Sequence, residues 1–227
     1  MTVVDVVIPT LNAAPRLART LAALAGDHDL ALNVIVCDGG SRDGTVAIAQ
    51  QAGATVLTSD PGRGRQLAAG AAAGGAPWLL FLHADTTLAA GWNVAVGRFT
   101  AQPANAARAG YFRLRFDSAD PRARRVERLV DWRCRTLALP YGDQGLLIAR
   151  SRYGAVGGYR ALPLMEDVEF VRRLGRRNLA ALDAVAVTSA ERYERDGWLA
   201  RPLRNLGCLG LYFAGVSPDV LRRVYGA

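Results

Sequence analysis

The 227-residue sequence contains no lysine; all 28 of its basic residues are arginine. A lysine Schiff base, a phosphate loop closed by lysine and a Ser–Lys nucleophile pair are excluded together. Cysteine and histidine are scarce as well. Cys37, Cys134 and Cys208 stand far apart, and His28 and His83 are the two histidines, so no zinc-ligand spacing exists. Separated cysteines in odd number predict reduced thiols packed as small apolar side chains, hence a cytoplasmic setting. The amino terminus, Met1-Thr-Val-Val-Asp5, lacks a basic stretch and reads as a first strand, not a signal peptide. The longest apolar run, residues 206–216, is too short for a bilayer. No Gly-x-Ser-x-Gly elbow is present, which excludes that class of hydrolase.

What is present is a globular composition, 51% hydrophobic and 21% charged, with a net charge of +8 and a pI near 10.1. A planar fork of donors suits phosphate, so a diphosphate ligand is one reading of the arginine excess. Nucleic acid or an anionic membrane surface is the other. No nucleic-acid-binding motif accompanies the charge, and the conspicuous loops are acidic, so nucleic acid is not the expected partner.

Periodicity divides the chain. Apolar runs at residues 3–8, 32–37, 54–57 and 78–82 read as buried strands. Between them lie helical segments: one capped by Asn12 and carrying Leu17, Leu21 and Leu24, one capped by Asp43 and ending at Gln51, and a small-residue helix over 64–73. This rhythm predicts an α/β fold with a parallel-leaning sheet flanked by helices, in a single domain. Residues 1–90 form its nucleotide-binding half, 91–190 its acceptor and catalytic half, and 191–227 a helical tail. In the second half a strand is expected over 111–116, an arginine-rich helix over 121–137, a glycine-rich turn at Tyr141-Gly-Asp-Gln-Gly145, a helix over 166–174 and a last short strand over 185–188.

Ligands of open parallel sheets bind beyond the carboxyl ends of the strands. Those ends carry Pro9-Thr10-Leu11-Asn12, Asp38-Gly-Gly-Ser-Arg-Asp43, Asp60-Pro-Gly-Arg-Gly-Arg65 and His83-Ala84-Asp85. The ordered set Val6-Val-Ile-Pro-Thr-Leu-Asn12, Val36-Cys-Asp-Gly-Gly-Ser-Arg-Asp-Gly-Thr45, Leu80-Phe-Leu-His-Ala-Asp85, Gly142-Asp-Gln-Gly145 and Met165-Glu-Asp167 resembles family 2 glycosyltransferases. It is most similar to a small soluble bacterial branch of that family. The resemblance implies a GT-A fold and an inverting transfer of a sugar from a UDP- or GDP-linked donor to an acceptor hydroxyl, assisted by Mg²⁺ or Mn²⁺. A nucleotidyltransferase is the rival enzyme, but it would place a glycine-rich basic loop directly after the first strand, where Pro9-Thr10-Leu11-Asn12 stands.

On the matching positions the resemblance implies nucleotide contacts at Pro9, Thr10, Asn12, Asp38 and Ala84. It also implies a metal ligand at Asp85, a catalytic base at Asp167 with Glu166 as its orienter, and acceptor contacts at Asp143 and Gln144. Asp38 can face the base or close an Asx turn. Asp85 suits a hard cation, which takes one or two carboxylates plus phosphate oxygens. The family usually shows Asp-x-Asp here, and His83 replaces the first carboxylate. Glycines and guanidinium groups at a helix start can cradle a diphosphate, with Arg65 the expected partner and Arg63 a solvated side chain. Glu166 and Asp167 also suit the N-terminal end of a helix dipole. The basic segments 122–135 and 201–223, with Trp132 and Trp198, read either as a peripheral contact with the inner membrane face or as solvated surface.

Overall fold

A computed structural model describes residues 1–26 and 29–225; His28 lies outside the described residues, as do the last two of the expected tail. In chain order the elements are β1 (Thr2–Thr10), α1 (Ala14–Leu24), β2 (Leu30–Asp38), α2 (Thr45–Gln51), β3 (Thr55–Thr58), α3 (Arg63–Ala73), β4 (Trp78–Phe81), β5 (Thr86–Leu88), α4 (Trp92–Thr100), β6 (Ala109–Phe116), α5 (Pro121–Leu137), β7 (Leu146–Ala149), α6 (Arg150–Ala155), α7 (Glu166–Leu174), β8 (Leu179–Thr188), α8 (Glu191–Asp196), α9 (Ala200–Phe213) and α10 (Pro218–Tyr225). The strands form one eight-stranded sheet in the order β3-β2-β1-β4-β7-β6-β8-β5. β3, β2, β1 and β4 are parallel, β7 is antiparallel to both its neighbours, and β8 runs parallel to β6 but antiparallel to β5.

β1 shows why the first runs lack alternation: both faces of the sheet are covered. Val4, Val6 and Ile8 join Leu17, Leu21 and Leu24 of α1 in one core, while Val7 joins Leu79, Phe81, Leu67 and Phe170 in the other, beneath α3 and α7. The small-residue composition of α3 has a steric cause. A Cβ on Gly70 would lie 2.4 Å from Val7 Cγ1 and 2.7 Å from Cys37 Sγ, and one on Gly64 would lie 2.2 Å from the Arg160 carbonyl. At these two positions α3 therefore has no side chain of its own between its backbone and the β1 and β2 side chains or the loop at Arg160.

The one charge inside β1, Asp5, is fully buried on the α3 face. Arg150 donates to it at 2.5 Å and also to the Ala71 and Ala76 carbonyls, while Asn33 Nδ2 and the Ala76 amide supply the remaining donors. A buried carboxylate is tolerated here because both oxygens meet donors and one of these is a guanidinium. The pair ties β1 to the residues that follow β7.

Several expectations move. β8 starts six residues earlier than periodicity suggests because it pairs along the whole of β6. β5 and α4, absent from the sequence reading, extend the sheet edge after Asp85. Asn12 does not cap α1: it adopts φ +50°, and its Oδ1 accepts from the Arg42 amide. Asp43 stands one residue before the N-cap of α2, Gly44, and serves two helices, accepting from the Thr45 amide at 3.0 Å and the Ala14 amide at 3.2 Å.

Candidate active site

β1, β2 and β4 end side by side, so the loops at 10–13, 38–44 and 82–85 leave the sheet along one rim. Pro9 fits in β1 because the pairing with β4 stops at Val7, where no further ladder donor is required on that side. Thr10 lies opposite Asp38 in the β1–β2 register. Asp38 is buried and all its lone pairs are engaged: Oδ1 accepts from Thr10 Oγ1 at 2.9 Å and Ser41 Oγ at 2.5 Å, Oδ2 from the Gly40 and Ser41 amides at 3.0 and 2.7 Å. Burial alone would raise this carboxyl, but the Ser41 hydroxyl and amide, the Thr10 hydroxyl and the Gly40 amide together hold it below the usual range. Of the two readings left open for Asp38, the turn is the one these bonds display. Ser41 Oγ also accepts from the Asn12 amide, stitching the two loops together. Beneath them Gln66 donates to the Thr10 and Cys37 carbonyls, each at 2.7 Å. Gln66 was not singled out from the sequence; the signal available was a lone amide in a helix rich in alanine and glycine.

The second part of the rim gathers around His83. A Cβ on Gly142 would lie 2.4 Å from His83 Nε2, so the imidazole rests directly against the backbone of the 142–144 turn. Burial pushes His83 down to about 4, the Arg63 guanidinium adding to it against the pull of Asp85 and Asp167. The imidazole is therefore neutral at pH 7. Asp167 Oδ2 accepts from the Gly142 amide at 2.8 Å and Oδ1 from the Val168 amide at 2.7 Å, which joins the start of α7 to this turn. Immediately before the acidic pair, Met165 is held at φ +65°, a conformation that costs a side chain of this kind about 1–3 kcal/mol. Such strain persists where the surroundings impose it, and here it aims Glu166 and Asp167 at the rim. Asp143 has one carboxylate oxygen buried without a partner. Burial pushes its carboxyl up to about 6; Arg133 and Arg63 oppose the rise while Asp167 and Asp85 reinforce it.

The arginines exchange places relative to expectation. Arg65 is paired at 3.5 Å with exposed Asp60, away from the His83 cluster, whereas Arg63 reaches Glu166 at 3.2 Å. Glu166 is buried, which raises its carboxyl against the pull of Arg63. Gln144 is committed to the interior: its Oε1 accepts from Arg133, Cys134 and the Tyr141 amide, and its Nε2 donates to the Phe112 carbonyl. Its role in the described fold is to hold the turn that carries Asp143. Ala84 is likewise nearly buried, its carbonyl bound by Thr20 Oγ1 at 2.9 Å.

Asp85 opens on a cleft of about 230 Å³ bordered by Arg16, Arg19, Thr87, Asp117, Ser189 and Glu191. Arg16 pairs with Glu191 across it, and Arg19 lies 3.8 Å from Asp117. Among the described residues no group of three His, Cys, Asp or Glu side chains is placed to hold a metal ion. The donor set thus fits a hard cation only if one carboxylate, Asp85, is completed by phosphate oxygens and water.

Comparison with known proteins agrees with this layout. A model of glycosyl transferase family 2 matches residues 5–151. Among solved structures, a mannosyltransferase from Pyrobaculum calidifontis in complex with GDP-Man and Mn²⁺ is similar over 98% of this chain and 68% of its own, with a TM-score of 0.65 and 16% identity. S. aureus TarS (residues 1–349) with UDP is similar over 99% of this chain and 70% of its own, at 0.62 and 14%. Glucosyl-3-phosphoglycerate synthase from Mycobacterium tuberculosis, with Mn²⁺, UDP and glucosyl-3-phosphoglycerate, is similar over 83% of this chain and 70% of its own, at 0.52 and 20%. The chain spans only 56% of the TarS chain solved with UDP-GlcNAc and 35% of a longer TarS chain. No curated protein matches the sequence. These structural similarities establish the GT-A fold, and the family match, which runs from within β1 through β7, establishes that the chain belongs to glycosyl transferase family 2.

Proposed function

We propose that the protein moves a sugar from a UDP- or GDP-linked donor to an acceptor hydroxyl with inversion, assisted by Mg²⁺ or Mn²⁺. The observation that carries this reading is the neighbourhood of His83: Asp85 and Asp167 both pull on the neutral imidazole, Gly142 packs against it while its amide donates to Asp167, and the same two carboxylates act on buried Asp143. The reading assigns the nucleotide to the rim at Pro9, Thr10, Asn12, Asp38 and Ala84. The support there is structural: Asp38 and Ser41 fix the shape of the loop pair, so backbone groups of those loops, more than the Asp38 carboxylate, face the base.

A bound divalent cation supplies neutralisation of the departing diphosphate, and Asp85 would hold it. Arg16 and Arg19 bring further positive charge to the same cleft, and a diphosphate there competes with Glu191 and Asp117 for them. Asp167 takes the proton from the acceptor hydroxyl, since inversion needs one base opposite the leaving group. The Gly142 amide orients its carboxylate, and Glu166, locked to Arg63, keeps the helix start in place. Asp143, with one oxygen buried without a partner and Asp85 and Asp167 acting on it, is assigned to the acceptor side of the site. Arg65 and Gln144, expected as ligand contacts, are in this reading a surface residue and a scaffold residue.

Calorimetric titration with UDP, GDP and their sugars, with and without Mn²⁺, tests the proposal. Metal-dependent binding that disappears in Asp85→Asn supports it; nucleotide binding indifferent to both metal and Asp85 rejects it. Donor hydrolysis unchanged in Asp167→Asn removes that residue as the base.

A further inference from the structure

The outer face of α9 is apolar, where a surface helix is ordinarily polar. Leu199, Leu203, Leu206, Gly210 and Phe213 recur at steps of four, three, four and three residues, which is a single face of a 3.6-residue helix. The four side chains of this stripe are exposed by 73%, 57%, 63% and 48%. The other face of α9 buries Arg201, Cys208 and Leu209 in the fold. The helix therefore has two apolar faces and packs only one of them. Between Arg204 and Asp219 no residue carries a charge.

Around this stripe the charge is almost all of one sign. The Arg172 guanidinium lies 4.7 Å from the Phe213 ring centroid. Arg222 and Arg223, on the α10 that packs along α9, are exposed. The acids near them are Asp219 and Glu169, the latter occupied by Arg160 and Arg173, while Asp196 at the other end is occupied by Arg195, Arg201 and Arg204. A second copy of the chain would bring these arginines face to face, whereas an anionic surface would be drawn to them.

We infer that the α9 stripe seats the protein on an anionic lipid surface, with its leucines and Phe213 in the boundary between headgroups and acyl chains and the flanking arginines on lipid phosphates. No helix among the described residues is long and apolar enough to cross a membrane, so the contact is one of lying on the surface. α7 joins this face to the rim, with Asp167 near its start and Arg172 five residues later, a rise of roughly 7.5 Å. A hydroxyl near the membrane surface would thus come within reach of Asp167. That last step rests on the glycosyl-transfer reading; the surface contact does not.

Co-sedimentation with vesicles of equimolar phosphatidylglycerol and phosphatidylcholine, and with phosphatidylcholine alone, tests the inference on the wild-type chain and on the Leu203→Glu/Leu206→Glu and Arg222→Glu/Arg223→Glu variants. The wild type is expected to sediment with the anionic vesicles, less as salt rises, and weakly with phosphatidylcholine. The leucine variant should lose about a hundredfold in partitioning, since two leucines no longer leave water; the arginine variant should lose its preference for the anionic vesicles. All four substituted side chains are exposed, and a thermal melt checks that the variants remain folded. Absence of sedimentation with the anionic vesicles overturns the inference, as does sedimentation that Leu203→Glu/Leu206→Glu leaves unchanged. A dimer in light scattering that the leucine variant splits would make the stripe a face between copies and overturn it equally. Nucleotide titration of the same variants without vesicles reads the transferase proposal separately, so failure of one is not mistaken for failure of the other.

Discussion

Replacing Asp143 by Asn should stabilise the protein at neutral pH while depriving it of a site carboxylate. The group has an oxygen buried without a partner, and burial pushes its carboxyl up to about 6 from an ordinary 3.8. The unfolded chain releases this proton near 3.8 and the folded chain near 6, so between those values the folded state binds more protons. Stability then falls as pH rises through that window and levels off above it. At about 1.4 kcal/mol per pH unit the full cost at pH 7 is roughly 3 kcal/mol, and partial solvent access to the carboxylate brings the expected figure to about 1–3 kcal/mol. Asparagine does not titrate and escapes this cost. In thermal melts with a chelator present, Asp143→Asn should exceed wild type by roughly 2–12 °C at pH 7 and match it near pH 3.5. A gain equal at both pH values would refute the electrostatic reasoning, and a loss at pH 7 would show that an unseen donor satisfies the carboxylate.

Other substitutions probe the neighbouring contacts. Gly142→Ala must displace His83 or the turn that holds Asp167, at a cost of about 1–3 kcal/mol in a melt and a larger proportional fall in donor hydrolysis. Asp38→Asn cannot accept four hydrogen bonds and should lose about 2 kcal/mol at pH 7. Because the Asp38 carboxyl is held low, its stabilisation is present above the usual carboxylate range and lost as pH falls below it, so the deficit of the variant should shrink in acid. An undiminished deficit at low pH would mean the carboxylate charge is not what the turn uses. Arg63→Leu leaves the charge on buried Glu166 without its ion pair and should cost about 2–3 kcal/mol, much of it recovered in Arg63→Leu/Glu166→Leu. Additive losses in that cycle would show that the two side chains do not depend on each other.

The first ninety residues could be read closely because parallel strands buried on both faces leave nearly continuous apolar runs, broken only by Asp5 in β1 and Asn33 in β2 and unbroken in β4. β3 is shorter and partly exposed, yet glycine and the following Asp60-Pro-Gly mark its ends. Strand order escaped the sequence because it depends on which edges meet: β7 inserts antiparallel beside β4, and no local pattern announces that. The site shows the same division. Strand-end carboxylates such as Asp85 stand in recognisable surroundings, but which arginine of Arg63 and Arg65 faces inward depends on where α7 docks, a long-range matter. Gln144 looked like a ligand contact because it shares a loop with Asp143; only the docking of α5, which brings Arg133 and Cys134 to its amide, shows that it serves the scaffold.

The four-residue ladder between β4 and β7 carries a mechanical consequence. It welds the segment bearing Asp85 to the one bearing the 142–144 turn, and the Asp5–Arg150 pair reinforces the seam from beneath. A relative movement of these two segments would have to break that ladder and that pair. The stretch after β8 is fastened differently: Glu191 reaches back to grip α1 through Arg16, a side-chain contact that can open without disturbing the sheet.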